Sequence, residues 1–127
     1  MSCSRCTTRQ LCDPCAALLA RVQGTPAAAV SEAQLLARTR EVCKRLGMLF
    51  YHTRDSRGSD PGWVDVATVR PEGGTLYLLE LKRLGETPTL AQRRWLEALA
   101  RVERVESGVL YPDDLDTWVH HLQRQGE

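Results

Sequence analysis

Two strand-forming runs separated by a four-residue turn constrain the fold of this chain more than any other feature. Residues 63–70 and 75–82 are rich in β-branched, aromatic and aliphatic side chains. Between them, Pro71-Glu72-Gly73-Gly74 has the composition of a tight turn. The three segments together predict an antiparallel hairpin.

A turn of fixed length also fixes the register of the hairpin. If Arg70 and Thr75 flank the turn, the numbers of paired residues sum to 145, and Asp65 lies opposite Glu80. Because side chains alternate between the faces of a strand, the two acids share one face with Lys82. The other side chains that we expect on this face are apolar: Ala67, Val69, Leu76 and Leu78.

The two opposed acids need a physical reason, because like charges on directly paired residues repel. A divalent cation supplies one, since carboxylates, often joined by a backbone carbonyl, are the ligands that Mg²⁺ or Mn²⁺ prefers. Lys82, beside Glu80, would hold or activate a water molecule. The alternative is an ordinary ion pair between Glu80 and Lys82 at the end of a strand, which does not account for Asp65.

The helices and strands predicted from the rest of the sequence indicate a small mixed sheet with helices on both faces. Capping boxes at Ser31-Glu32-Ala33-Gln34 and at Thr89-Leu90-Ala91-Gln92 open two helices. The predicted elements are a helix over 31–46, a strand over 48–53, a loop over 54–62, the hairpin, a helix over 89–105 with Trp95, Leu96, Leu99 and Val102 on its apolar face, a strand over 108–111, and a helix from 112. Their order is α, β, β, β, α, β, α.

A four-cysteine array near the start of the chain indicates a separate metal-binding unit. Its members are spaced C-x2-C-x5-C-x2-C: Cys3, Cys6, Cys12 and Cys15. Four thiolates at this spacing suit a closed, structural zinc site. The alternatives are an iron–sulfur cluster, a redox CxxC pair or unligated thiols. With the linker that follows, residues 1–30 are expected to form an appendage to a main domain of residues 31–127.

Composition and charge place few limits on the partner of this protein. The 127 residues carry a formal net charge of +1. That total hides a division, because residues 1–96 have 14 basic and 9 acidic side chains (net +5) and residues 97–127 have 3 and 7 (net −4). A polyanionic partner is therefore compatible with the sequence. No apolar run is long enough to span a membrane, and no signal peptide is evident, so we expect a cytoplasmic protein.

The chemistry-bearing residues resemble a known family. Pro61-Gly62-Trp63-Val64-Asp65 and Glu80-Leu81-Lys82 resemble the P-D…(D/E)-x-K signature of the restriction-endonuclease-like superfamily. The three residues between Pro61 and Asp65 depart from the usual Pro-Asp pair, but this spacing is usual in the VRR-NUC branch. The wider pattern over about residues 31–122 is similar to single-domain phage and bacterial VRR-NUC nucleases: Glu32, Tyr51-His52-Thr53-Arg54, Gln92 and Trp95.

The resemblance implies an α/β, restriction-endonuclease-like αβββαβ core and assigns roles to several residues. Asp65, Glu80 and the carbonyl of Leu81 would hold Mg²⁺ or Mn²⁺, and Lys82 would position the attacking water. Glu32 would reach the same site, or would only favour the helix dipole as a first-turn carboxylate. Gln92 lies on the inward stripe of its helix and is expected to contribute to the site as well as to its capping box.

Basic and glycine residues around the predicted loop are candidates for contact with a nucleic-acid backbone. His52 ends the preceding strand and could touch a phosphate or be an ordinary strand-end histidine. The loop itself could be merely solvated and charged. The candidates are His52, Arg54, Arg57, Gly58 and Gly62, with Arg93 and Arg94 on the second predicted helix.

Two functional hypotheses follow for the whole chain. In the first, it is a divalent-metal-dependent endonuclease that hydrolyses phosphodiester bonds in DNA, with a preference for branched, flap or junction forms. In the second, it is a non-catalytic, zinc-containing nucleic-acid-binding or adaptor protein on a nuclease-like fold. A homodimer is plausible, since cleavage of two strands needs two sites, and the zinc extension could bind DNA or a phage or repair protein.

Metal analysis of the purified protein tests the cysteine array. Four thiolates at zinc spacing predict about one equivalent of tightly bound zinc per chain. Well under one equivalent would contradict the assignment.

Overall fold

The computed structural model describes residues 26–54, 58 and 60–125, and these form one four-stranded sheet with three α-helices. The element order is the predicted α, β, β, β, α, β, α. The elements are α1 (Glu32–Arg45), β1 (Leu49–His52), β2 (Val66–Val69), β3 (Leu76–Leu81), α2 (Leu90–Leu99), β4 (Val105–Leu110) and α3 (Leu115–Gln125), with short 3-10 helices at Ala27–Ala29 and Pro112–Asp114. The predictions for Cys3, Cys6, Cys12, Cys15 and Arg57 lie outside the described residues.

The sheet order is β1-β2-β3-β4, with the first three strands antiparallel and β4 parallel to β3. The hairpin register is the predicted one, because Val66 pairs with Leu79 and Thr68 pairs with Tyr77. The parallel pairing requires a crossover between β3 and β4, and α2 provides it. The ends of β2 and β3 that carry Asp65 and Glu80 therefore lie next to the start of α2.

Helices cover both faces of the sheet, as the sequence predicts. On one face, Leu35 of α1 and Val119 of α3 pack in a core cluster with Leu79 of β3. On the other face, Leu96 of α2 packs with Leu78 of β3. Consecutive residues of β3 thus enter opposite cores, which explains why almost the whole strand is buried.

The second helix is shorter than its hydrophobic pattern predicts, and the last strand is longer. The pattern predicts a helix to about Val105, but α2 ends at Leu99 and Val105 already pairs with Leu76 in the sheet. Turns over residues 100–104 reverse the chain, and Arg104 takes a positive φ of 61°. Val102, which was predicted on the apolar face of the helix, is instead 50% exposed. For these residues, pairing with β3 is more favourable than two further turns of α2.

Both predicted capping boxes are present at the starts of α1 and α2. The Ser31 hydroxyl accepts from the Gln34 amide, and the Thr89 hydroxyl accepts from the Gln92 amide. Each glutamine side chain accepts in return from the backbone N–H of its N-cap residue. None of the described helices is long and apolar enough to cross a membrane.

Gly62 fixes the loop before β2 against the start of α2. Its φ is +95°, and a Cβ placed there would lie 2.6 Å from the backbone carbon and oxygen of Ala91. A side chain at this position would therefore separate the loop from the helix. Gly62 is also a predicted phosphate contact, and its packing against Ala91 is a separate reason for a glycine at this position.

Replacing Gly62 by alanine should destabilise the fold more than the same change at Gly73. Both residues have positive φ, but nothing lies within 4 Å of a Cβ at Gly73. The shared backbone strain costs about 1–2 kcal/mol, and overpacking against Ala91 adds about 1–3 kcal/mol in Gly62→Ala alone. Urea unfolding followed by circular dichroism measures the difference. Equal losses in the two variants would show that the contact with Ala91 does not constrain the loop.

Candidate functional site

Asp65 lies immediately before β2, where three hydrogen bonds, two of them from Thr53, hold the chain. Its N–H donates to the Leu79 carbonyl (3.1 Å), and its own carbonyl accepts from the Thr53 N–H (2.9 Å). The Thr53 hydroxyl also donates to the Val64 carbonyl (3.0 Å). The Asp65 carboxylate is thereby directed across the hairpin, where its Oδ2 accepts from the Leu81 N–H at 2.9 Å.

Glu80 occupies the same region from β3 and is almost fully buried, with 2% of its surface exposed. Its Oε1 accepts a hydrogen bond from Nε2 of Gln92 at 2.8 Å. No hydrogen-bond donor among the described residues reaches its Oε2, which is also buried. A buried carboxylate oxygen without a partner is unusual, because the loss of its hydration is then uncompensated.

Burial raises the pKa of Glu80 to about 8, and the negative charge of Asp65 contributes in the same direction. Hydrogen bonding between the two side chains also raises this pKa, since a protonated Glu80 can share its proton with Asp65. Lys82 acts in the opposite direction. The two acids are therefore close enough to disfavour the state in which both are ionised.

The carbonyl of Leu81 points toward the edge of β3 that faces β2, where the Asp65 carboxylate also lies. The N–H of Lys82 donates to the Leu110 carbonyl on β4. No cis peptide occurs among the described residues, so the Leu81 carbonyl points away from β4 and toward the β2 side. The β2–β3 ladder ends at Val66 and Leu79. The carbonyl thus lies beyond the paired region, on the side where Asp65 is located.

Lys82 follows β3 directly and lies beside Glu80. Its Nζ is 4.0 Å from the Glu80 Oε1, and its side chain is 14% exposed. The ammonium group thus borders the carboxylates without a close hydrogen bond to Glu80. It remains near enough to offset part of their charge and to donate to a molecule bound between them.

The donor set at this position fits a divalent cation such as Mg²⁺ or Mn²⁺. It would offer carboxylate oxygens of Asp65 and Glu80 and the carbonyl of Leu81, which are hard oxygen ligands. A cation would also give the orphaned Oε2 of Glu80 a partner, and it would offset both the burial and the charge of Asp65 that raise the pKa of Glu80. Among the described residues, no group of three or more His, Cys, Asp and Glu side chains is placed to hold a metal. The proposed set has two carboxylates and a main-chain carbonyl, and it does not require a third such side chain.

Glu32 approaches this region from the first turn of α1. Its side chain is exposed, and partial burial followed by the charge of Glu86 raises its pKa. The charges of Lys82 and Asp65 also act on it, in opposite directions. Glu32 therefore lies within electrostatic range of the acidic pair, but it does not complete a three-residue metal group.

An open cleft of about 490 Å³ leads to Asp65 and contains several of the predicted nucleic-acid contacts. His52, Arg54 and Gly62 line it, with Gln92 at the helix end. The remaining candidates are placed elsewhere: Gly58 and Arg93 are exposed and do not line this cleft, and Arg94 lines an adjoining pocket of about 380 Å³.

Thr53 and Trp63 contribute to the cleft in ways that the sequence does not predict. Thr53 anchors the backbone of Asp65 through the hydrogen bonds described above, and Trp63 lines the cleft with 39% of its surface exposed. A threonine that follows a strand gives little sequence signal of such a role. The hairpin pattern predicts Trp63 at the start of a strand over 63–70, but β2 begins at Val66, so Trp63 belongs to the preceding loop.

Comparison with solved structures identifies the fold. A structure described as "VRR_NUC domain" superposes with a TM-score of 0.59 and 22% sequence identity, over 73% of this chain and 98% of that chain. No protein-family model matches the sequence, and neither does any curated protein. The chain therefore has the α/β fold of a VRR_NUC domain, and the family resemblance seen in the sequence is confirmed at the level of the fold.

The raised pKa of Glu80 predicts how stability depends on pH in the absence of divalent cations. Because its pKa rises from an ordinary value of 4.5 to about 8 on folding, the native state binds more protons than the unfolded state between these values. In EDTA, the free energy of unfolding should therefore fall as the pH rises through this range. Glu80→Gln should remove this component while its Oε1 still accepts from Gln92.

The measurement is the melting temperature of both proteins from pH 5 to pH 8.5, and Glu72→Gln, in the exposed hairpin turn, is the matched control. The advantage of Glu80→Gln over wild type should grow with pH, whereas Glu72→Gln should follow wild type. Parallel curves for wild type and Glu80→Gln would show that the Glu80 carboxylate is not under electrostatic strain.

Proposed function

We propose that this protein is a metal-dependent nuclease that hydrolyses phosphodiester bonds in DNA. The observation that carries the proposal is the pairing of Asp65 with the buried Glu80, whose Oε2 lacks a donor among the described residues. Burial of Glu80 beside the half-buried Asp65 is costly without a cation to neutralise the pair. Likeness of the fold to a VRR_NUC domain is consistent with this chemistry.

In this proposal the residues of the site are metal ligands, a residue that orients a ligand, and a cation. Asp65, Glu80 and the Leu81 carbonyl hold Mg²⁺ or Mn²⁺, which when bound polarises a phosphoryl oxygen and lowers the pKa of a coordinated water. Gln92 fixes the orientation of Glu80 through the 2.8 Å hydrogen bond. The Lys82 ammonium group orients the attacking water and offsets negative charge that develops on the phosphate.

The cleft in front of Asp65 is the proposed path of the DNA backbone. Arg54, His52 and Gly62 line it. Asp60 and Asp65 line it too, and a metal ion held by Asp65 and Glu80 would reduce the negative charge that a phosphate meets there. Contacts of this kind recognise phosphates and backbone shape and carry no base sequence information.

Cleavage assays with matched lysine variants test the proposal directly. The chain has two lysines, Lys82 at the site and Lys44 at the exposed end of α1. With plasmid, flap and junction DNA in Mg²⁺ or Mn²⁺, Lys82→Met and Asp65→Asn should each lower the cleavage rate about 100-fold or more. Lys44→Met should cut at the wild-type rate.

Equal cleavage by wild type, Asp65→Asn and Lys82→Met would assign the activity to a contaminant and refute the proposal. Absence of cleavage of every substrate by wild type, with folded protein and both metals, would favour a non-catalytic nucleic-acid-binding or adaptor protein.

A further inference from the structure

Trp63 and Trp95 form an exposed aromatic pair that the proposed chemistry leaves unused. Their ring centroids are 5.0 Å apart, the rings meet edge to face at 86°, and each residue is 39% exposed. An edge-to-face contact covers at most one face of one ring, so other faces remain available. Trp118, in contrast, packs against the core and contacts Tyr77.

The pair lies at the junction of the two surface depressions on this side of the molecule. Trp63 is two residues before Asp65 and lines the cleft of about 490 Å³. Trp95 is one helical turn after Gln92 and lines the pocket of about 380 Å³. Pro61 and Ala91 line both depressions, so the two are contiguous. A ligand strand that passes Asp65 therefore meets the indole rings next.

The two rings are held by elements that also hold the metal-binding residues. Gly62, directly before Trp63, packs against the backbone of Ala91 in the first turn of α2. Gln92 in the same turn donates to Glu80. The distance between the tryptophans and the acidic pair is thus set by packed backbone, and little conformational entropy is lost when a ligand stacks on the rings.

Charge near the rings favours a nucleic-acid strand as the occupant. Arg54 lines the cleft beside Trp63, and Arg94 lines the pocket beside Trp95. Aromatic side chains combined with neighbouring cations are the usual means of binding single-stranded nucleic acid, because bases stack on the rings while phosphates contact the arginines. Bases inside a duplex are already stacked on each other and cannot use such rings without unpairing.

We infer that Trp63 and Trp95 form a stacking platform for an unpaired nucleobase next to the phosphate bound at Asp65 and Glu80. This inference rests on the proposed nuclease function for the identity of the ligand, and it names the substrate class: DNA with a single-stranded segment at the site of cleavage. The two tryptophans are specificity determinants that contact the substrate.

DNA binding in an Asp65→Asn background tests the platform without any need for cleavage. Fluorescence anisotropy compares a labelled single-stranded oligonucleotide with a duplex of the same length, for the parent, Trp63→Leu and Trp63→Phe. Single-strand affinity should fall roughly 5- to 100-fold in Trp63→Leu and recover largely in Trp63→Phe, which keeps an aromatic face. Duplex affinity, which depends on phosphate contacts, should change by less than about twofold.

A second experiment uses altered DNA. One abasic position, moved along the single strand, should weaken binding of the parent at one or two positions and have no such effect on Trp63→Leu or Trp95→Leu. Equal losses for single strand and duplex, or binding that no abasic position affects, would overturn the platform. If the platform is present but the wild-type protein cuts none of the DNA substrates, the stacking surface stands and the nuclease is refuted, so the two failures are distinguishable.

Discussion

The site depends on one unfavourable interaction, the burial of Glu80 next to Asp65. Main-chain hydrogen bonds from Thr53 and to Leu79 hold Asp65 in place, while its side chain accepts from Leu81. The hairpin register then places Glu80 next to Asp65. Burial first, and then the charge of Asp65, raises the pKa of Glu80. A fold keeps such a pair when a cation, or a proton, compensates it.

The surrounding structure is arranged to maintain that pair. Leu79 and Leu81 on either side of Glu80 enter the core between the sheet and the α1 and α3 helices. Glu80 consequently faces α2, where Gln92 both caps the helix and donates to the carboxylate. One glutamine side chain thus couples the start of the crossover helix to the acidic pair, and Gly62 packs the loop before β2 against the same turn.

Much of this arrangement was predictable from the sequence, because local rules determine it. The turn at residues 71–74 sets the register that brings Asp65 to Glu80, and each capping box marks the start of a helix. The end of α2 was not predictable from local pattern, since Val102 and Val105 continue a helical stripe but pairing with β3 captures Val105. Trp95 was expected to face the core, yet it lies half exposed against Trp63, because their contact depends on the tertiary packing of loop and helix.

Anomalous diffraction from crystals grown with Mn²⁺ would test the central claim most directly, because it locates the ion without reference to activity. We predict one manganese peak within ligand distance of the Asp65 and Glu80 carboxylates and the Leu81 carbonyl, and loss of that peak in Asp65→Asn. A wild-type crystal with saturating Mn²⁺ and no peak at these three groups would contradict the account.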